Sequence, residues 1–149
     1  MASLETGRHR LPLLAVSQAQ KEITHNEALV VIDALLHPAV EGVLSAAPLV
    51  ADVDIGRCWL IEAAATGIWA THKNEIAIYV GGGWRYIVPT DGMRIWNSSS
   101  ERHLFRIDGQ WADVPSVPNP TAGSVVDVEA RTALTAILQY FRLIGVLAT

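Results

Sequence analysis

Apolar positions change their spacing several times along this chain, and each change marks an expected element. Residues 1–10 are polar, and residues 11–16 are apolar but contain Pro12, which favours an extended path over a helix. The polar run 17–22 leads into Thr24-His25-Asn26-Glu27, which has the Thr-x-x-Glu form of a capping box. A helix is expected from there to about Leu36. Its apolar stripe is Leu29, Ile32, Leu35 and Leu36, with Glu27, Val30, Asp33 and Ala34 elsewhere. His37-Pro38 ends it. Residues 40–44 predict a short strand and residues 58–61 a buried one. Residues 63–73 read as a loop with one helical turn.

From Glu75 onward the pattern becomes that of hairpins, and one unit occurs twice. Ile78-Tyr79-Val80-Gly81-Gly82-Gly83-Trp84 matches Phe105-Arg106-Ile107-Asp108-Gly109-Gln110-Trp111 position by position. Asp108-Gly109 is a strong two-residue hairpin turn, and Gly81-Gly82 can play the same part. This register sets Tyr79 opposite Trp84, an aromatic cross-strand pair, and Arg106 opposite Trp111, a cation–π pair. Residues 93–96 and 102–107 flank the polar loop Asn97-Ser98-Ser99-Ser100, giving an antiparallel meander of about four to six strands. Its strands are apolar on both faces, with Ile76, Ile78 and Val80 on one and Ala77 and Tyr79 on the other. One face is expected to pack on the helix and the other on a neighbour.

Residues 115–124 hold three prolines and read as a semi-rigid linker. A final helix is expected from Asp127 to about Leu143, with Gly145 as its stop. Ala130, Leu134, Ile137, Phe141 and Ile144 recur at spacings of four and three, the coiled-coil repeat, which predicts a symmetric bundle of copies. Leu138 and Val128 widen that seam, so packing on the parent domain is the alternative. The expected fold class is α+β. It consists of an N-terminal arm (1–23), a globular domain with a Trp-rich antiparallel meander (24–114), the linker (115–124) and a C-terminal helix (125–149) in a trimeric bundle.

Composition narrows the function. Half of the 149 residues are hydrophobic and 17% are charged, a lean surface for a single domain, so part of it is expected to be buried against other chains. The net charge of −4 argues against nucleic acid as a partner. No apolar run reaches membrane-spanning length, so no membrane insertion is expected. Arg8, His9 and Arg10 ahead of the apolar run faintly imitate a signal peptide, but the run is too short, and secretion by that route is not expected. Cys58 is the lone cysteine, which excludes an intrachain disulfide and a cysteine-based metal site and fits a reducing cytoplasm.

Candidate chemistry is sparse. His9, His25, His37, His72 and His103 show no metal-ligand spacing. Gly81-Gly82-Gly83 lacks the Lys-Ser/Thr of a phosphate loop, no nucleophile elbow is present, and nothing sets the separations of Asp91, Glu101, Asp108 and Asp113. The chain therefore reads as a non-enzyme without a cofactor. Trp84, Trp96 and Trp111 lie near Tyr86, Asn97, Asp91 and Asp108, a combination that suits stacking and hydrogen bonding to a pyranose. The competing role for these rings is the core of a small β-domain.

The motifs Leu11-Pro12-Leu13-Leu14, Gln18-Ala19-Gln20-Lys21, Asn26-Glu27-Ala28-Leu29 and Asp33 resemble the opening of domain-of-unknown-function family 2793, which occurs in tailed phages, prophages and gene transfer agents of alphaproteobacteria. The stretch 65–70, Ile76-Ala77 and Gly83-Trp84 resemble that family's Gly-x-Trp and Gly-Trp hairpin pattern. The tail from residue 126, with Leu134, Ile137, Leu138, Arg142 and Gly145, looks like the short C-terminal helix of phage fibre proteins. The resemblance implies a virion structural component that serves host attachment: a tail fibre, baseplate part or head spike, usually trimeric. It supplies no catalytic residues. The chain is shorter than a full fibre, which favours a base, an adaptor or a small spike, located in the virion after assembly in the host cytoplasm. The expected assembly contact is Leu11, Leu13, Leu14, Val16, Gln18, Gln20 and Ile23, lying along a sister subunit or another tail or spike protein. The alternative is a carbohydrate-binding module that recognises host surface polysaccharide through Trp84, Trp96 and Trp111. A third reading is a hydrolase accessory domain.

Overall fold

The computed structural model describes residue 6, residues 13–14, 21–121 and 127–148. In chain order these form α1 (Lys21–Leu36), β1 (Ala39–Val40), β2 (Val43–Leu44), β3 (Cys58–Ile61), β4 (Ile76–Tyr79), β5 (Trp84–Ile87), β6 (Arg94–Asn97), β7 (Arg102–Ile107), β8 (Gln110–Asp113) and α2 (Val128–Leu143). Two single 3-10 turns lie at Asp52–Asp54 and Gly67–Trp69. The class is α+β, as the sequence implies.

The strands form two four-stranded sheets of one design, with orders β2-β3-β4-β5 and β1-β6-β7-β8. In each, a two-residue strand pairs parallel with the first strand of a three-stranded antiparallel meander. The single meander read from the sequence is thus two. The chain leaves the first sheet after β5 through Val88, Pro89 and Gly92, residues that interrupt the ladder, and starts the second at β6. The expected strand at 40–44 is also divided. Pro38 and Val40 accept from the N–H groups of Trp96 and Ser98, while Glu41 donates to Cys58 and Gly42 accepts from Leu60. One extended stretch therefore supplies the short first strand of both sheets and satisfies its own backbone on both sides.

The repeated hairpin is real. Tyr79 pairs with Trp84, and Arg106 with Trp111. Asp108 (φ 48°) and Gly109 (φ 71°) are both left-handed, which a type I′ turn requires. In the other copy Val80 donates to the Gly83 carbonyl, and of the two residues between them only Gly81 takes positive φ, as in a type II′ turn.

The main core lies where one face of the first sheet meets the second sheet and α1. Cys58, Leu60, Ile76, Ile78 and Ile87 pack with Ile95, Leu104, Val40 and Ala34. The opposite face of the first sheet carries Trp59, Ile61, Ala77, Tyr79, Trp84 and Tyr86. The chain's own loops cover it with Ala65, Trp69, Ala47 and Val50, in the place where a neighbour was expected.

Two readings of α1 are corrected. The helix begins at Lys21, so the Thr24 position lies inside it rather than at its cap. Its buried side is also different. Asp33 and Ala34 are buried, and Val30, Val31 and Leu35 pack on the core, whereas Ile32 and Leu36 of the predicted stripe are 47% and 52% exposed. From Ala28 to Leu36 the helix is apolar almost all round, so periodicity could not select a face.

The proline-rich stretch is anchored rather than free where it is described. Ser116 bridges Ala148 in parallel, and Pro115 accepts from the Ala148 N–H. Residues 122–126 lie outside the described residues.

Candidate assembly surface

α2 starts at Asp127, whose carboxylate accepts from the Ala130 N–H at 2.9 Å. It ends in a Schellman motif: Gly145 (φ 69°) donates to Arg142 O, and Val146 donates to Phe141 O. That reversal returns the chain to the second sheet. The Gly145 carbonyl accepts from the His103 N–H, and Leu147 and Ala148 are buried. Arg142 adds a second tie, donating to Asn119 Oδ1 at 3.1 Å and to the Val117 carbonyl. Both ties act at the C-terminal end of the helix.

No residue of α2 is buried. Of the predicted seam, Leu134 and Ile137 are 51% and 50% exposed, and Ala130, Phe141 and Ile144 are exposed as well. Val128 and Tyr140 extend the apolar surface beyond that seam. The helix is thus held at one end and leaves its heptad seam open, in contrast to packing on the parent domain. Removing a side chain the size of Leu or Ile from water is worth about 1.5–3 kcal/mol, so the exposed seam is apolar surface whose burial would be favourable.

At the other end of the chain, Leu13, Leu14 and Ile23 of the expected arm contact are described; Leu11, Val16, Gln18 and Gln20 lie outside the described residues. The Leu14 backbone is held by one side chain. Its N–H donates to Asn26 Oδ1 at 2.9 Å, and its carbonyl accepts from Asn26 Nδ2 at 3.1 Å. Asn26 opens the Asn-Glu-Ala-Leu motif, but as part of a helix signal it gave no sign of binding backbone. Beside it a groove of about 230 Å³ is lined by Ile23, Asn26, Glu27, Val30, Val80 and Arg85, with Glu27 and Arg85 ion-paired.

The three tryptophans considered for glycan do not share a surface. Trp84 sits among Trp59, Trp69 and Tyr79, with ring centroids 5.1–5.5 Å apart. Trp96 meets His103 edge-on at 5.0 Å and closes over Gly145. Trp111 lies under the Arg106 guanidinium at 5.7 Å, and its indole N–H donates to the Asn74 carbonyl at 3.0 Å. Arg106 Nε is also 3.9 Å from Asp91 Oδ1, within ion-pair range but too far for a hydrogen bond.

The titratable groups do not gather into one site. His72 Nδ1 lies 2.8 Å from Glu75 Oε2, and its ring stacks on Tyr86 with centroids 3.5 Å apart, bracing the loop that covers the aromatic face. Burial raises the Tyr86 phenol above its usual range, and the Glu75 carboxylate adds to this, against an opposing contribution from the Trp69 indole. Burial lowers His103, with the nearby Arg94 charge acting in the same direction. Among the described residues no group of three or more His, Cys, Asp or Glu side chains could hold a metal ion, and no helix is long and apolar enough to cross a membrane.

These features define an α+β protein in which twin four-stranded sheets carry two features that reach outward: an open helical seam and a clamped arm. Residues 25–112, well over half of the chain, match the family described as Protein of unknown function (DUF2793), and the chain belongs to that family. The match runs from within α1 into β8. No curated protein and no solved structure matches the chain.

Proposed function

We propose that this protein is a structural subunit of a tailed phage or phage-like particle, a fibre, spike or adaptor component that serves host attachment and associates through α2 as a homotrimer. The observation that carries the association is the seam itself. Ala130, Leu134, Ile137, Phe141 and Ile144 keep a four-three spacing and stay exposed, while the C-terminal ties fix the helix to its domain. A helix anchored at one end and apolar along one stripe pairs with identical helices at little further ordering cost. The virion setting rests on the motifs of residues 11–36, which resemble the openings of phage and gene-transfer-agent proteins.

Sedimentation equilibrium tests the association. The intact chain is expected to sediment with three times the monomer mass, and the double variant Leu134→Asp/Ile137→Asp as a monomer with unchanged far-ultraviolet circular dichroism. Equal masses for the two would refute the seam. The virion setting is tested by mass spectrometry of purified particles from a lysogen that carries the coding sequence. The chain is expected among the particle proteins, and its absence would remove that reading.

A further inference from the structure

The Asn26 amide makes the two hydrogen bonds to Leu14 that a neighbouring β-strand would make, one to the N–H and one to the carbonyl. This contact reads backbone and not side chain, so its ligand is an extended segment. The groove beside it adds the apolar surfaces of Ile23, Val30 and Val80. The seat fits an extended, uncharged, apolar dipeptide, and the Leu13–Leu14 stretch already lies at its rim.

We propose that this clamp is an arm-exchange joint, and that in the assembled protein it holds the Leu13–Leu14 segment of a second copy. Three observations favour this occupant. The segment's fit is visible, since the chain's own Leu14 makes both bonds. The contact within one chain leaves the apolar parts unmated: Leu14 is 49% exposed and Ile23, on the groove, 54%. Both hydrogen bonds are exposed to solvent, where water competes for the same groups, so the closure is weak. A second copy offers an identical segment, and every contact made within one chain can be made between two. Local concentration in an assembly then decides the outcome. The exchange rests on the proposed assembly, which supplies that concentration, whereas the clamp's capacity to bind the segment does not, so the two can fail separately.

The test uses the full chain with Leu14→Pro, which removes the N–H that donates to Asn26 and vacates the clamp. A fluorescent peptide of residues 9–18 is titrated onto it. Saturable binding is expected, about tenfold weaker on the wild-type chain, whose clamp is occupied, and lost in Leu14→Pro/Asn26→Ala. No binding to Leu14→Pro, or binding indifferent to Asn26→Ala, overturns the clamp. Should Leu14→Pro fail to fold, hydrogen exchange at the Leu14 amide of the wild-type chain gives an independent reading. Protection that rises with protein concentration and disappears in Asn26→Ala supports exchange between copies, and protection independent of concentration overturns it. A wild-type chain that sediments as a monomer, while Leu14→Pro still captures the peptide, would overturn both the bundle and the exchange between copies and leave Asn26 as a clamp on its own chain's arm.

Discussion

Gly145 lies directly against the ring of Trp96: a Cβ added to the glycine would collide with Trp96 Cζ3 and sit 3.1 Å from the Arg102 backbone. This contact joins the end of α2 to the second sheet and determines where the helix leaves the domain. The glycine is required twice over, by its positive φ and by the space it leaves.

Gly145→Ala should therefore destabilise the fold by about 2 kcal/mol or more, from the left-handed backbone and from displacement of the indole ring. Gly109→Ala is the matched control. Its φ is also positive, but a Cβ there meets nothing within 4 Å, so about 1 kcal/mol is expected. Thermal unfolding of the two variants measures the difference. Equal losses would mean that the Trp96 contact does not constrain the helix exit.

His103 sits at the same junction, with its N–H donating to Gly145 O and its ring against Trp96. Burial lowers its pKa in the folded state, so below its ordinary value of 6.5 the unfolded chain takes up a proton that the folded chain resists. The stability tied to the neutral ring is fully present above pH 6.5 and falls as the pH drops from there toward the folded-state value. Denaturant midpoints of the wild-type chain and His103→Gln, measured between pH 7.5 and 5.5, should diverge in their pH slope, the variant being flatter. Parallel slopes would remove His103 as the cause.

Besides its ladder to β6, the second hairpin is tied to the loop before β4 by a bond from the Trp111 indole to the Asn74 carbonyl, 37 residues away. Trp111→Phe keeps a ring under Arg106 and loses that bond. A loss of about 1 kcal/mol is expected in chemical denaturation, and a neutral outcome would show that water replaces the bond without penalty.

Legibility in the sequence followed how local each signal was. The turn chemistry of Asp108-Gly109 and Gly81-Gly82 set both hairpins and their registers, and Gly145 marked the helix stop, because these depend on a few adjacent residues. The choice of face on α1 was not legible: eight of the nine residues from Ala28 to Leu36 are apolar, and only packing against Ala34 settles it. The twin sheets were hidden because β1 and β2 are two-residue strands whose pairing partners lie far along the chain. The α2 helix and its N-cap and stop were legible, since capping, spacing and the Gly145 stop are local signals. The Asn26 clamp was missed because a helix-start motif and a backbone-binding amide look alike in sequence. The glycan candidates shared composition but not position, which spacing along the chain could not reveal.

The central claim, that identical α2 helices meet along their seam, is tested most directly by cysteine cross-linking. Cys58 is buried and is the lone native thiol, so an introduced cysteine reports its own surroundings. On mild oxidation Ile137→Cys should form covalent dimers efficiently. A fraction of the chains should stay uncrosslinked, because a trimer can pair only two of its three cysteines. Gln139→Cys, on the opposite side of the helix, should stay monomeric on a denaturing gel. Equal cross-linking at both positions, or none at Ile137→Cys, would contradict the account.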